Sequence, residues 1–339
     1  MKYITAAWYA AIWSSELQAE PVARKFLGEE VVLYRGEQGQ AIALGGVCPH
    51  RFASLAKGKL HGDAIGCPYH GLRFGSDGRC VHNPNGPIPG VARVKSYPII
   101  EHMGMAWIWM GQQPPDRALL PDVDLLAGDD FAWVHGTLAV HGNYQLVIDN
   151  LLDLTHVEFM HPFLAASQPD EPLRYEAKQE GDRVFALYDR DETPTPAMVR
   201  AVWNGAPEAV RLWSHIRWDA PSNLYLENGF AHVDPRLSSE ALLIPTYHLL
   251  TPETATSTHY FWAAGRNMQK DNTAVSEQVR SGIEATFVYE DEPMIADIQQ
   301  RLGETDLMEL RPLLLSLDNA AVRARRIIAK ALEQETPAA

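Results

Sequence analysis

Cysteine is scarce. The chain of 339 residues has three, Cys48, Cys67 and Cys80, too few for a disulfide framework. A reducing compartment suits such a chain, and a cytoplasmic location is expected. Long apolar runs are also missing. None approaches the roughly 20 residues of a membrane-spanning helix, so no membrane partner is expected. The opening MKYITAAWYAAIW contains four aromatics (Tyr3, Trp8, Tyr9, Trp13) and no clean small-x-small cleavage site, and reads as a buried segment rather than a signal peptide. Positive charge is short: 29 basic against 43 acidic residues give a net charge of −14. That balance repels nucleic acid and anionic lipid. It would suit a basic redox partner, but plain solubility is the favoured reading. There is no internal repeat and no G-x-G-x-x-G fingerprint, so the chain is not expected to bind a nicotinamide cofactor itself.

Apolar material is plentiful. Hydrophobic residues make up 46% of the chain, with nine Trp, twelve Tyr and ten Phe, enough for a sizeable core. Residues 1–112 read as many short strands divided by glycine. Examples are EEVVLYRGEQGQAIALGG as a hairpin, GLRFGSDGRC, VARVKSYPII and MAWIWMG. A proline-rich stretch at 111–124 reads as a linker. Residues 113–339 open on a helix-compatible segment at 143–159, continue through apolar strands, and end in helices from about 273. The expected class is α+β.

Two of the three cysteines fall in matched loops. CPHR carries Cys48 and His50, and CPYHG carries Cys67 and His70. Thiolates and imidazoles are ligands of zinc and of iron–sulfur centres. Zinc fingers usually pair like with like, whereas each loop here offers one Cys and one His. A Rieske [2Fe–2S] cluster takes two cysteines on one iron and two histidines on the other, which fits mixed loops better. Pro49, Pro68 and Gly71 suit tight turns that aim backbone amides at sulfur. Cys80 is left as a small buried hydrophobe.

The segment NLLDLTHVEFMHP carries a second set. Asn150, Asp153 and His156 are spaced i, i+3, i+6, so on a helix Asp153 can support His156. His161 is out of helical phase, but Pro162 follows it and biases it out of the helix, so it can swing back towards His156. Two imidazoles need one carboxylate to complete a facial triad for Fe(II). Candidates cluster in FVYEDEPMIADIQ: Glu290, Asp291, Glu292 and Asp297. A solvated acidic run is the competing reading.

The two Cys/His loops, the NLLDLTH segment, LLTPETATSTHYFWAAGRN and the helical tail together resemble the Rieske non-haem iron oxygenases. The similarity is greatest to the vanillate O-demethylase branch, which includes dicamba demethylase and toluenesulfonate methyl-monooxygenase types. The resemblance implies a β-rich Rieske domain at 1–112, and a catalytic domain at 113–339 built as a helix-grip-like antiparallel sheet flanked by helices. It implies cluster ligands Cys48, His50, Cys67 and His70, and iron ligands His156, His161 and Asp291. It also implies a homotrimer in which Asp153 joins His70 of one copy to His156 of the next. The activity implied is O2-dependent O-demethylation or methyl hydroxylation of a methoxylated aromatic acid, with formaldehyde released from a methoxy group. Electrons come from NAD(P)H through a separate flavin and ferredoxin-type reductase. His248, Glu227, His232, Trp262 and Asn267 are the candidate pocket residues, with His248 the best hydrogen-bond donor to a carboxylate. For Trp262, core packing is the competing role. A ring-hydroxylating dioxygenase would share both metals and release a cis-diol. A Rieske electron carrier would have no use for His156 and His161, and a zinc protein would be colourless.

Overall fold

In the computed structural model, residues 2–165, 173–238 and 240–335 are described below. The chain divides into two compact units, one of residues 5–122 with 251–255, the other of residues 1–4, 123–250 and 256–339.

The first unit is built of short strands. They are β1 (Trp8–Trp13), β2 (Val22–Phe26), β3 (Glu29–Arg35), β4 (Ala41–Gly45), β5 (Lys59–His61), β6 (Ala64–Gly66), β7 (Arg73–Phe74), β8 (Cys80–His82), β9 (Ser96–Tyr97), β10 (Ile99–His102) and β11 (Met105–Trp109). They form three small antiparallel sheets, ordered β1-β11-β10, β2-β3-β4-β9 and β5-β6-β7-β8. The run Val31–Tyr34 is buried on both faces of β3, so it reads as a continuous apolar stretch rather than an alternation. Its core joins Val32, Tyr34, Leu44, Leu55, Ile65 and Phe74 to all three cysteines. Cys80 behaves as the small hydrophobe expected, its thiol directed at the His82 carbonyl.

The second unit is one antiparallel sheet with helices. Its strands are β12 (Ala132–Val140), β13 (Arg174–Glu180), β14 (Arg183–Pro194), β15 (Ala209–Asp219), β16 (Asn223–His232), β17 (Ala241–Thr254) and β18 (Ser257–Arg266), ordered β12-β18-β17-β16-β15-β14-β13. Alternation is clear in β14, where Val184, Ala186, Tyr188 and Arg190 face inward. The helices are α1 (Tyr144–Leu152), α2 (Val157–Met160), α3 (Ala197–Val202), α4 (Thr273–Thr286), α5 (Glu292–Leu302) and α6 (Asn319–Glu335). Asn143 caps α1 by accepting from the Gln145 N–H. A buried Arg325–Asp149 ion pair at 2.6 Å ties α6 to α1. No helix among the described residues is long and apolar enough to cross a membrane.

Two metal centres and a cavity

The Cys48 and Cys67 loops are the same turn made twice. In each, the cysteine N–H donates to the carbonyl five residues on (Ala53, 2.9 Å; Leu72, 2.7 Å). Its carbonyl accepts from the N–H four residues on (Phe52, 2.9 Å; Gly71, 3.1 Å). That fourth residue is left-handed in both, at φ 58° for Phe52 and 75° for Gly71. The turns bury both sulfurs side by side and leave the His50 and His70 rings 4.5 Å apart at the outer edge. Burial raises the Cys48 thiol pKa, while the amides of His50 and Arg51, aimed at its sulfur, act the other way. Paired thiols inside and paired imidazoles outside fit a Rieske cluster.

The second centre is assembled from helix ends. Helix α1 stops at Asp153, whose φ of −115° and ψ of 95° leave the helical region. The break changes how Asp153 meets His156 from what a continuous helix would give. Its carboxylate turns back to accept from the Thr155 N–H, and it is its backbone carbonyl that accepts from His156 Nδ1. His161 ends α2 at φ −120°, out of the helix as the following proline requires. Its Nδ1–H donates to Glu290 Oε2 at 2.6 Å. With both Nδ1 atoms engaged outward, each ring presents Nε2 inward, the tautomer a metal needs.

Asp291 arrives from 130 residues further on. Residues Phe287–Asp291 form a wide π-type turn between α4 and α5. Pro293 follows two residues after Asp291, without an N–H to continue the helical ladder, and such turns often mark functional sites. The turn brings Asp291 Oδ1 to 3.4 Å from His156 Nε2 and 3.3 Å from His161 Nε2. Asn150 Nδ2 donates to the same oxygen at 3.0 Å. The flanking acids point elsewhere, Glu290 to His161 and Glu292 to His141. Burial opposes ionisation of Asp291, yet His156 and His161 outweigh it and hold its pKa well below the ordinary range. Burial likewise opposes a charge on His161, but Asp291 and Glu290 win and raise its pKa. The three ligand atoms lie within 4.8 Å of one another. Two imidazoles and one carboxylate, mostly buried, are the donor set of a non-haem Fe(II) site.

This triad lines an apolar cavity of about 180 Å³. A cavity of roughly 150 Å³ accepts benzene, so there is room for one substituted ring. Leu226, Ile244, Ile283 and Phe287 are among its walls, and Asn228, His248, Arg266 and Gln278 are among its polar members.

The Rieske [2Fe-2S] domain family matches residues 7–98, and the vanillate O-demethylase oxygenase C-terminal domain family matches residues 140–334. The oxygenase component of chloroacetanilide N-alkylformylase from Rhizorhabdus wittichii is 37% identical, over 98% of this chain and 97% of that one. The oxygenase component of dicamba O-demethylase from Stenotrophomonas maltophilia is 35% identical, over 98% and 99%. The chain belongs to the vanillate O-demethylase family of Rieske oxygenases. It is the oxygenase component of a Rieske monooxygenase, with a [2Fe–2S] cluster and a non-haem iron, and a separate reductase supplies it. The crystal structure of dicamba monooxygenase bound to 3,6-dichlorosalicylic acid superposes over all of both chains, with a TM-score of 0.92 at 33% identity.

Among the expected pocket residues of this oxygenase, only His248 lines the cavity. Burial lowers its pKa to about 4, against the pull of Asp291, so the ring is neutral. Its Nδ1 is 2.5 Å from the Tyr260 hydroxyl, and its Nε2 is buried without a partner. The other four face elsewhere. Glu227 is out of phase with its cavity-lining neighbours Leu226 and Asn228, and accepts from Trp213 Nε1 at 3.0 Å. His232 packs edge-on to Trp203. Trp262 fills the space over Gly136, the core role that competed with a pocket role. Asn267 bonds the backbone of Leu243 and Ala241. Sequence reasoning missed Asn228, Arg266 and Gln278. Period-2 alternation from His248 and Leu226 could have found the first, but nothing local marks the other two.

Proposed function

We propose that this oxygenase hydroxylates the methyl of a methoxy or aryl-methyl group on an aromatic acid. Cys48, His50, Cys67 and His70 would hold the cluster, and His156, His161 and Asp291 the iron. The observation that carries the reading is the His156–His161–Asp291 triad lining an apolar, ring-sized cavity. Bound iron would supply the activation of dioxygen. The chain does the rest. Asn150 holds the Asp291 carboxylate in place, Glu290 and the Asp153 carbonyl fix the two imidazoles, and the apolar walls exclude water and aim one methyl at the triad. His248 Nε2, free and buried, offers a polar contact to the substrate. One oxygen atom enters a C–H bond and the other leaves as water, using two electrons from the reductase and two protons. From a methoxy group the product is a hemiacetal, which collapses to formaldehyde and a phenol.

The reading includes a homotrimer in which Asp153 links His70 of one copy to His156 of the next, and a reductase with flavin and ferredoxin-type centres. Cytoplasmic residence fits three free cysteines. A second reading comes from the chloroacetanilide relative: attack on a carbon attached to nitrogen in an uncharged anilide. Methoxybenzoates, methylated aromatic acids and N-alkylanilides, each supplied with a surrogate reductase, separate these. Formaldehyde release matched to oxygen uptake is expected with a methoxylated acid. A cis-diol product, or no oxygen uptake with any of them, would sink the demethylase reading.

A further inference from the structure

Arg266 closes β18, and its neighbour Asn267 turns away to bond β17. Arg266 lines the cavity and is 1% exposed. Nη2 donates to the carbonyls of Gln269 (3.0 Å) and Asn272 (2.9 Å) and to Ser276 Oγ (2.9 Å). Among the described residues, buried Nε and Nη1 have no hydrogen-bond partner. Burial lowers the pKa of the guanidinium, and no charged group among the described residues acts against it. Arginine keeps its charge even so. A buried charge without a counter-ion costs several kcal/mol. The Nη2 bonds hold the 267–276 turn and account for one nitrogen of three.

The strand register places this charge. Leu243 N–H donates to Asn267 Oδ1, and Asn267 N–H to the Leu243 carbonyl, so Arg266 stands beside Ile244. Ile244 pairs with Asn228 on β16. Asn228, Ile244 and Arg266 therefore form one row across three neighbouring strands, all lining the cavity. His248, near the triad, lies four residues along β17 from Ile244, about 13 Å away. Thr246 lies between them on the same strand, and Arg266 is the one arginine or lysine among the lining residues.

We propose that Arg266 binds the anionic group of the substrate, a carboxylate or sulfonate, at the end of the cavity remote from His156, His161 and Asp291. This rests on the aromatic-acid reading above. A substrate oxyanion supplies the counter-charge that the fold withholds, and it orients the ring with its methyl towards the triad.

The test is calorimetric titration of anaerobic holoenzyme with 4-methoxybenzoate and with its uncharged isostere 4-methoxybenzamide. The acid is expected to bind about 10- to 100-fold more tightly. Arg266→Met should bring the acid down to the affinity of the amide and leave the amide unchanged, which also reports an intact cavity. Should Arg266→Met fail to fold because the 267–276 turn loosens, Ile244→Asp tests the same point. It sets a carboxylate beside Arg266 without touching the Nη2 bonds, and should abolish the preference for the acid. Equal binding of acid and amide by the wild type overturns the anion site while leaving an oxygenase of uncharged aromatics. An acid preference that survives either variant overturns it too. If neither ligand binds, the aromatic-acid reading falls with it.

Discussion

The two metal centres are built on opposite plans. The cluster loops are two copies of one local turn, and each keeps its Cys and His within four residues of sequence. The iron triad joins the start of α2, its end and a widened turn before α5, with Asn150 and Asp291 separated by 141 residues. The first plan needs only the right turn. The second needs the whole sheet-and-helix unit to hold helix ends within hydrogen-bond distance. The first should therefore tolerate damage to the second, and variants can test that independence.

The largest effect is expected from Asp291→Asn. Losing the anionic ligand should remove the non-haem iron, about one third of the total iron for a three-iron protein, and abolish turnover. The visible spectrum of the cluster should stay as in the wild type. Iron analysis and the absorption spectrum check this together. Cys67→Ser should do the reverse. If Asp291→Asn bleached the cluster, or kept all its iron, the two centres would not be independent or the ligand would be another residue.

Asn150→Ala sharpens the same contrast at lower cost. It removes the 3.0 Å hydrogen bond that orients Asp291 and leaves every ligand in place. Iron affinity should fall about 10- to 100-fold, as is usual for loss of a residue supporting a metal ligand. A chelator competition measures it. An unchanged affinity would mean that the π-type turn alone fixes the carboxylate.

Acid should weaken the catalytic unit more than the cluster unit. His248 is buried neutral with its pKa lowered to about 4, and the charged groups that face it reduce to Asp291, with Tyr260 as its hydrogen-bond partner. An unfolded histidine takes up its proton near pH 6.5, so the unfolded state binds more protons between these values. Stability is then full above about pH 6.5 and falls as pH drops towards 4, by up to about 3 kcal/mol from this residue. His161 has the opposite sign, its pKa being raised, so the comparison must be made between wild type and His248→Gln. Denaturant melts at pH 7 and pH 4.5 should show a smaller acid loss in the variant. An equal loss in both would remove His248 from the account.

The difference in plan also explains what the sequence could and could not reveal. Spacing alone marks Cys48, His50, Cys67 and His70, because their geometry is a property of a five-residue turn. His156 and His161 are visible because Pro162 announces the end of their helix. Asp291 is different: three acids stand in a row, and the choice among them depends on a widened turn that only Pro293 hints at. Resemblance to a family pointed to Asp291, and no local rule did. Asp153 does meet His156, but through its backbone carbonyl rather than its carboxylate. An i, i+3 argument assumes a continuous helix, and this one breaks at that residue. The pocket was least legible, since facing depends on strand phase. Glu227 and Asn228 are neighbours in sequence, yet only Asn228 meets the cavity.

The smallest effect concerns the paired turns themselves. Phe52 and Gly71 occupy the same left-handed position, but only glycine adopts it without steric cost. Phe52 is 79% exposed, so little burial offsets that strain. Phe52→Gly should therefore stabilise the cluster unit, by at most about 1 kcal/mol, because glycine also adds freedom to the unfolded chain. Gly71→Ala should do the opposite, since its new Cβ would meet Pro84 Cγ at 3.0 Å in a backbone conformation that alanine disfavours. Thermal melts of the two variants should move in opposite directions. If Phe52→Gly proved destabilising, the exposed ring would have to be held by something outside this chain, such as a second copy of the protein, and the two turns would be alike in backbone but not in function.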